Sequence, residues 1–199
     1  LGLARSLADP STPDAIARTV ADAMPEILGA PASIVLLWTE ARAELRVRGM
    51  CGWPAHVADW LAGAVLGPED SPGLASLLAA PAPMVLRNDE SPGEFARGLM
   101  ERLGVGGIAL APVQKQGELL GLAVAAVDGT EAGRLEELVE QISAVADQAA
   151  TALQNSSLLE QIRYQAVHDG LTGLANRELF DAEVHKALAR SARDGEPVS

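Results

Sequence analysis

The sequence has 199 residues and a formal net charge of −12 at pH 7, with 48% hydrophobic and 21% charged residues. This composition is typical of a folded globular chain and excludes a disordered one, while its acidity disfavours nucleic acid and anionic membrane surfaces as partners. No apolar run approaches the roughly 20 residues that span a bilayer, and one cysteine cannot form an intrachain disulfide, so we expect a cytoplasmic protein without membrane contact.

The first quarter of the chain predicts a helix and a β-hairpin. A helix is expected to start near Pro13, after capping residues at 9–12. Its apolar residues recur at helical spacing and are expected to share one face: Ile16, Val20, Met24, Ile27 and Leu28. The β-rich run 33–39 and the alternating residues 45–49 then predict two antiparallel strands.

Residues 54–127 predict short elements that Gly and Pro separate. Three helices are expected at Pro54–Leu66, Leu74–Ala80 and Phe95–Leu103, with a brief strand at Met84–Leu86. The best hairpin signal joins Gly107–Val113 to Leu119–Val127. Because Leu119–Val127 is apolar almost throughout, it is expected to be a central strand buried on both faces.

The segment from Glu131 to about Gln165 predicts one helix of about 35 residues, roughly 50 Å long. Its apolar residues follow the 3-4 spacing of a helix-pairing seam. The seam residues are Leu135, Leu138, Ile142, Val145, Ala149, Ala152 and Leu159. We expect the first half of the helix to pack on the sheet and the later part to pair in parallel with a second copy, giving a homodimer.

The most specific motif in the sequence follows this helix. Residues 168–177 read His-Asp-Gly-Leu-Thr-Gly-Leu-Ala-Asn-Arg. This motif resembles the opening of GGDEF domains, the diguanylate cyclase family. The matching residues, to which the resemblance assigns a structural role, are Asp169, Leu171, Thr172, Leu174, Asn176 and Arg177. The next helix, with Leu179, Phe180, Val184 and Leu188 on one face, matches the first helix of that fold.

The resemblance implies that the parent protein converts two GTP into cyclic-di-GMP with Mg²⁺. The family's metal-binding aspartate, guanine-binding residues and GGDEF loop come later in the fold and have no counterpart in residues 1–199. We therefore expect this chain to carry no catalytic or metal site. A parent with a degenerate GGDEF domain, or with a phosphodiesterase domain, stays open as an alternative.

The first part of the chain resembles a GAF domain, a small-molecule sensor. The resemblance rests on the order of elements, on Gly49 and Gly52 after the second strand, and on the hairpin of residues 111–121. It implies an α+β fold with a central antiparallel sheet, helices on both sides and a long C-terminal helix. The expected organisation is a lead (1–11), a GAF-like sensor (12–130), a signalling helix (131–166) and the start of a GGDEF domain (167–199). A PAS domain is the alternative fold.

The resemblance also places a ligand pocket between the sheet and the short helices, in residues 49–101. The candidate ligand-binding residues are Cys51, Trp53, His56, Trp60, Arg87, Asp89 and Met100. Aromatic walls with a few polar groups are typical of small-molecule pockets, but Trp53 and Trp60 also have simple core spacing.

No particular ligand is indicated by these residues. A bilin would need a cysteine followed by histidine, whereas Cys51 precedes Gly52, and a haem could use only His56 as its axial histidine in this segment. The acidic run 89–94 is better explained as a solvated loop than as a metal site. We expect a regulatory input module with an unknown ligand and without a cofactor of its own, or else a ligand-free dimerisation scaffold.

Overall fold

The computed structural model describes Leu3, Leu7 and residues 12–39, 43–67, 72–88, 93–127, 132–169 and 172–194. Its helices are α1 (Pro13–Leu28), α2 (Ala55–Ala62), α3 (Pro72–Ala79), α4 (Glu94–Leu103), α5 (Ala132–Val167) and α6 (Arg177–Asp194). Its strands are β1 (Ser33–Thr39), β2 (Glu44–Cys51), β3 (Val65–Leu66), β4 (Met84–Arg87), β5 (Gly107–Lys115) and β6 (Glu118–Val127).

The six strands form one antiparallel sheet in the order β3-β2-β1-β6-β5-β4. The predicted α+β fold is therefore confirmed, and β6 lies at the centre of the sheet as predicted. Residues 121–127 of β6 are all buried. The short strand β3 was missed, because Val65 and Leu66 were taken as the end of a helix that stops at Ala62. Two residues are too few to show a strand period.

Alternation along the strands separates two hydrophobic layers. The layer under α1 and α5, here called the alanine face, takes Val35, Leu37, Ala109, Ala111, Val113, Ala123, Ala125 and Val127 from the sheet. The layer under α2, α3 and α4, here called the leucine face, takes Ile34, Leu36, Ile108, Leu110, Leu122, Val124 and Ala126 from the same strands. Four of the eight sheet residues on the alanine face are thus alanines, whereas the leucine face has a single alanine among Ile, Leu and Val.

Helix α1 continues through an internal proline because a strand supplies the missing donor. Thr12 Oγ1 accepts a bond from the Ala15 N–H at the helix start, and Gly29 ends the helix with a φ of 59°. Pro25 has no N–H to bond to the carbonyl of Ala21 one turn earlier. The Ser33 hydroxyl donates to that carbonyl at 2.7 Å and is fully buried. The end of α1 and the start of β1 are therefore joined.

Contact between α1 and β2 depends on one glycine. A Cβ added at Gly49 would overlap the carbonyl of Ala17, so the helix lies directly on the strand backbone. Beside this contact, Arg48 Nε lies 3.5 Å from Asp14 Oδ1. The face predicted for α1 is buried at Ile16, Val20, Met24 and Leu28, but Ile27 is 41% exposed. Its neighbour Leu28 takes the buried position, since adjacent helical residues are about 100° apart.

The first half of α5 completes the alanine face. Its buried residues are Leu138, Ile142, Val145, Ala146, Ala149, Ala150, Ala152 and Leu153. Five of the seven residues assigned to helix pairing, Leu138, Ile142, Val145, Ala149 and Ala152, are therefore used within the domain. Leu159 is 40% exposed, and Leu135 is described only for its backbone. The predicted pairing seam is thus mainly a sheet-packing face, and pairing itself stays a prediction.

Contacts divide the chain into two compact units, residues 1–156 and 157–199. The second unit consists of the end of α5, a turn and α6. Several large apolar side chains of α6 are exposed, including Phe180 at 62% and Leu188 at 54%. Among the described residues, no helix is long and apolar enough to cross a membrane.

Candidate functional site

Three of the seven predicted ligand residues lie at the leucine face, which the short helices α2, α3 and α4 cover. Trp53 and Trp60 pack half-buried against this layer, and Met100 is fully buried within it. These three of the seven candidates belong to one apolar cluster. His56 is exposed on α2, whereas Cys51 and Arg87 are half-buried at the ends of their strands. Asp89 lies outside the described residues.

Trp60 is held against α4 by three residues at helical spacing. Its ring stacks on Phe95 with a centroid distance of 5.3 Å, and the guanidinium carbon of Arg102 lies 4.2 Å from its centroid. Gly98, between them on α4, leaves room for the Arg102 side chain, since an added Cβ would lie 2.8 Å from Arg102 Nη1. Arg102 Nη1 also donates to the carbonyl of Gly98 at 3.0 Å. The indole therefore fastens α2 to α4.

Trp53 is engaged by the sheet itself. Its Nε1–H donates to the carbonyl of Ser33 at 2.7 Å. The same serine bonds to α1 through its hydroxyl, so one residue connects both sides of the sheet. The indole nitrogen of Trp53 is thus occupied by a structural bond, and what Trp53 offers to a ligand is its ring. The sequence could not show this bond, because its partners are twenty residues apart.

Metal binding has little support in the described residues. No group of three or more His, Cys, Asp or Glu side chains among them could hold a metal ion. Cys51 is a free thiol on β2. The leucine face therefore offers an apolar wall with half-buried aromatic rings, which suits a small organic molecule better than an ion.

A second concave region lies on the opposite side of the sheet and was missed. It is a cleft of about 820 Å³ between α1 and α5. Its lining residues are Leu3, Thr19, Asp22, Ala23, Glu26, Ile27, Gln141, Ala144, Val145 and Gln148. The floor is apolar at Leu3 and Val145, and Asp22 and Glu26 make one rim acidic. The polar residues of α1 and α5 recur at helical spacing, which is the only signal that could have indicated it.

The motif after α5 forms a hydrogen-bonded turn. Asp169 Oδ1 accepts bonds from both the N–H and the hydroxyl of Thr172, each at 2.9 Å. Asn176 Nδ2 donates to the carbonyl of Ala166 at 2.8 Å, and its Oδ1 accepts from the Leu179 N–H at 3.0 Å. Asn176 thus caps α6 and ties it to the end of α5.

Two more contacts support this turn, and the backbone of Leu174 belongs to it, since the Leu174 carbonyl accepts from the Asp169 N–H at 2.8 Å. Tyr164 stacks on His168 with centroids 3.8 Å apart, and its hydroxyl donates to the carbonyl of Gly173 at 3.4 Å. Leu174 is 68% exposed. Leu171 lies outside the described residues, and Arg177 Nε lies 3.8 Å from Asp181 Oδ2 on α6. The described motif residues thus build a turn between the end of α5 and the start of α6, and their structural role stays a prediction.

Comparison with known proteins identifies the first unit. A family model described as the GAF domain matches residues 12–153, more than two-thirds of the chain. No curated protein sequence gives a significant match. Solved structures resemble this chain at low identity and so speak for the fold alone.

Three of these structures illustrate the range. The GAF domain/HD domain protein from Geobacter sulfurreducens has a TM-score of 0.62 at 15% identity, covering 76% of this chain and 98% of that one. The second GAF domain of DevS from Mycobacterium smegmatis has a TM-score of 0.53 at 23% identity, covering 75% of this chain and 99% of that one. The phycoerythrobilin-bound GAF domain from a cyanobacterial phytochrome has a TM-score of 0.58 at 20% identity, covering 80% of this chain and 92% of that one.

Proposed function

The chain belongs to the GAF domain family, and we propose that it is a signal-sensing and dimerising input module of a larger signalling protein. One observation carries this proposal. Helix α5 begins against the sheet, where Ile142 is fully buried, and continues without a break to Ile162, which is 61% exposed. A change in the sheet would therefore act directly on the part of α5 that packs against it.

The proposed sensing site is the leucine face. Its support is the cluster of Trp53, Trp60 and Met100 together with helices of only eight to ten residues. Short helices make few contacts each and can move apart at low cost in free energy. The phycoerythrobilin-bound relative indicates that this fold can hold a small organic molecule. The Cys51-Gly52 pair of this chain does not favour a bilin, so the proposed ligand is an unidentified small molecule.

The proposed parent activity is that of a diguanylate cyclase, which joins two GTP into cyclic-di-GMP. Support comes from the motif at 168–177 and from the turn that Asp169, Thr172 and Asn176 build. Helix α6 adds a second argument, since Phe180, Val184 and Leu188 leave an apolar face exposed. Such a face is expected of the first helix of a further domain. Mg²⁺ and GTP would be needed by that domain, while this chain performs no catalysis.

Dimerisation through the later part of α5 links the two proposals. Joining two GTP molecules requires two cyclase domains face to face, so the pairing of the α5 helices would control output. A ligand that binds one paired state more tightly by a few kcal/mol shifts the equilibrium substantially.

Native mass spectrometry of the purified chain, with a denatured sample alongside, tests whether the chain dimerises and retains a ligand. A dimer that carries extra mass, lost on denaturation, is the expected result, and that mass would narrow the ligand. A bare dimer would instead favour the alternative of a ligand-free scaffold. A bare monomer at micromolar concentration would contradict dimerisation.

The parent activity needs a separate measurement. The full-length protein, incubated with GTP and Mg²⁺, should release cyclic-di-GMP and pyrophosphate, whereas residues 1–199 alone should release neither. Hydrolysis of added cyclic-di-GMP without its synthesis would favour a phosphodiesterase parent and would overturn the cyclase proposal.

A further inference from the structure

Two hydrogen bonds of one residue connect the leucine face to the end of α1. On the leucine face, the Trp53 Nε1–H donates to the Ser33 carbonyl at 2.7 Å. On the opposite side of the sheet, the hydroxyl of Ser33 donates to the Ala21 carbonyl, also at 2.7 Å. Ser33 is fully buried, so water does not compete for either bond. Trp53 and α1 are therefore joined through a single residue with no partner in solvent.

The chain just before Trp53 packs directly against the same region. Gly52 has a φ of 79°, and an added Cβ would overlap the Pro31 carbonyl and lie 2.9 Å from the Ala32 Cα. Pro31 and Ala32 belong to the connection between α1 and β1. Closely packed protein interiors transmit strain, because they have little free volume to absorb it. A shift of Trp53 is therefore passed to this connection by packing as well as by hydrogen bonds.

Helix α1 is held near its start and has free space beside its end. At Ala17 it lies directly on the backbone of β2 at Gly49. Further along, Glu26 and Ile27 line the cleft of about 820 Å³ between α1 and α5. Pro25 lies at this end of the helix and has no N–H to bond to the preceding turn. The end of α1 can therefore shift while its contact with β2 stays in place.

We propose that Trp53 is a positioning residue that couples the leucine face to the end of α1. A molecule bound at the leucine face displaces the Trp53 ring, and Ser33 passes the displacement to α1, which alters the cleft on the opposite side of the sheet. This inference rests on the proposed sensing function and makes α1 a responding element beside α5. Trp60 has a different role, since its ring contacts Phe95 and Arg102 of α4.

Hydrogen exchange of the chain without added ligand tests the role of Trp53. Trp53→Phe keeps an aromatic ring but removes the N–H, so amides 26–30 at the end of α1 should exchange about fivefold faster. Amides 142–150 of α5 should keep their rates. Trp38→Phe is the matched control, because Trp38 is another half-buried tryptophan packed on the leucine face, and it should leave α1 unchanged. Equal acceleration throughout residues 13–153 would make Trp53 a purely structural residue and overturn the proposal.

A double-mutant cycle tests whether Trp53 acts through Ser33. In a Ser33→Ala background the connection to α1 is already broken, so Trp53→Phe should accelerate exchange at the end of α1 by less than about twofold. If the two substitutions instead multiply their separate effects, Trp53 does not act through Ser33 and the proposal is wrong.

Fluorescence tests the same coupling in the opposite direction, because coupling between two sites is reciprocal. A Trp38→Phe/Trp60→Phe background leaves Trp53 as the only tryptophan. Ala23→Phe places a large side chain in the cleft and displaces the end of α1, so it should shift the emission maximum of Trp53. Arg18→Phe is the control, since Arg18 is exposed on the same helix outside the cleft lining. Identical emission in the two variants would overturn the coupling.

These measurements need no ligand, so they separate this inference from the proposed function. A chain that retains a small molecule in native mass spectrometry but shows no coupling would overturn the role of Trp53 alone. Coupling in a chain that retains no molecule would support the route through Ser33 and count against the sensing function.

Discussion

The two sides of the sheet are built from different sizes of residue. On the alanine face, Ala109, Ala111, Ala123 and Ala125 of the sheet meet the Ala-rich helix α5. On the leucine face, the same strands present Ile, Leu and Val to three helices of eight to ten residues. One side carries two long helices, of which α1 lies directly on the backbone of β2 at Gly49, and the other side carries three short helices.

This difference suits the two sides to the two roles proposed for them. Small residues let backbones approach closely, so the alanine face has little room to relax and suits the transmission of a movement. Large side chains under short helices can repack around a ligand, which suits a sensing surface. The Ser33 residue joins the two sides, since its hydroxyl bonds to Ala21 and its carbonyl accepts from Trp53.

Truncating one fully buried side chain on each side gives the largest contrast. Ile142→Ala should lower the free energy of unfolding by about 4 kcal/mol and Met100→Ala by about 2 kcal/mol, because the short helices can collapse into the cavity. Both residues are 0% exposed. Urea denaturation measures the two values. An equal or larger loss for Met100→Ala would break the comparison.

Adding one methyl group to the alanine face should lower the free energy of unfolding nearly as much as Ile142→Ala. Gly49→Ala places a Cβ onto the Ala17 carbonyl, so α1 must move away from β2, with an expected loss of about 3 kcal/mol. Gly106→Ala is the matched control, since no atom lies within 4 Å of its added Cβ. The control should change stability by less than about 0.5 kcal/mol. A mild effect of Gly49→Ala would mean that the helix and strand are less closely packed.

Removing the hydroxyl that joins the two sides should have an intermediate effect. Ser33→Ala removes the hydroxyl that donates to the Ala21 carbonyl. Because Pro25 has no N–H to replace it, the free energy of unfolding should fall by about 2 kcal/mol. Ser33→Thr keeps a hydroxyl in the same place and tests for the lost bond rather than the changed volume. Hydrogen exchange should show faster opening at the end of α1. Unchanged exchange there would contradict a structural role for this bond.

The smallest effect is expected at the fastening of α2 to α4. Trp60→Leu removes the stack on Phe95 and the Arg102 contact, with an expected loss of about 1.5 kcal/mol. Arg102→Met should cost less, about 0.5–1 kcal/mol, because it removes the cation alone. Thermal unfolding measures both. Were Arg102→Met to cost as much as Trp60→Leu, the guanidinium and not the aromatic stack would fasten the helices.

Several features could be predicted from the sequence because they depend on local chemistry. The last hairpin followed from two apolar runs around Gly117, and the start of α1 followed from its capping residues. The turn at 168–177 could be anticipated because Asp169 and Asn176 bond to groups within ten residues of themselves. The apolar repeat of α5 was equally visible.

What the repeat packs against could not be predicted. Ile142 and Val145 satisfy the spacing of a helix pair and of a sheet-packing face equally well. Likewise, the candidates Trp53 and Trp60 could be grouped, but their partners Ser33 and Arg102 lie about twenty and forty residues away. Sequence patterns indicate which residues are buried and with what spacing, but they do not identify the surface against which those residues pack.

The sequence by itself therefore determined an acidic α+β chain with a central hairpin, a long helix and a structured turn after it. Only the tertiary structure decided that α5 packs Ile142 against its own sheet, that Asn155 and Ile162 are exposed, and that a cleft lies beside α1. The physical reason is that the hydrophobic effect is non-directional and does not select which surface covers an apolar residue. An apolar face gains the same free energy from a sheet as from a second helix, and geometry selects between them.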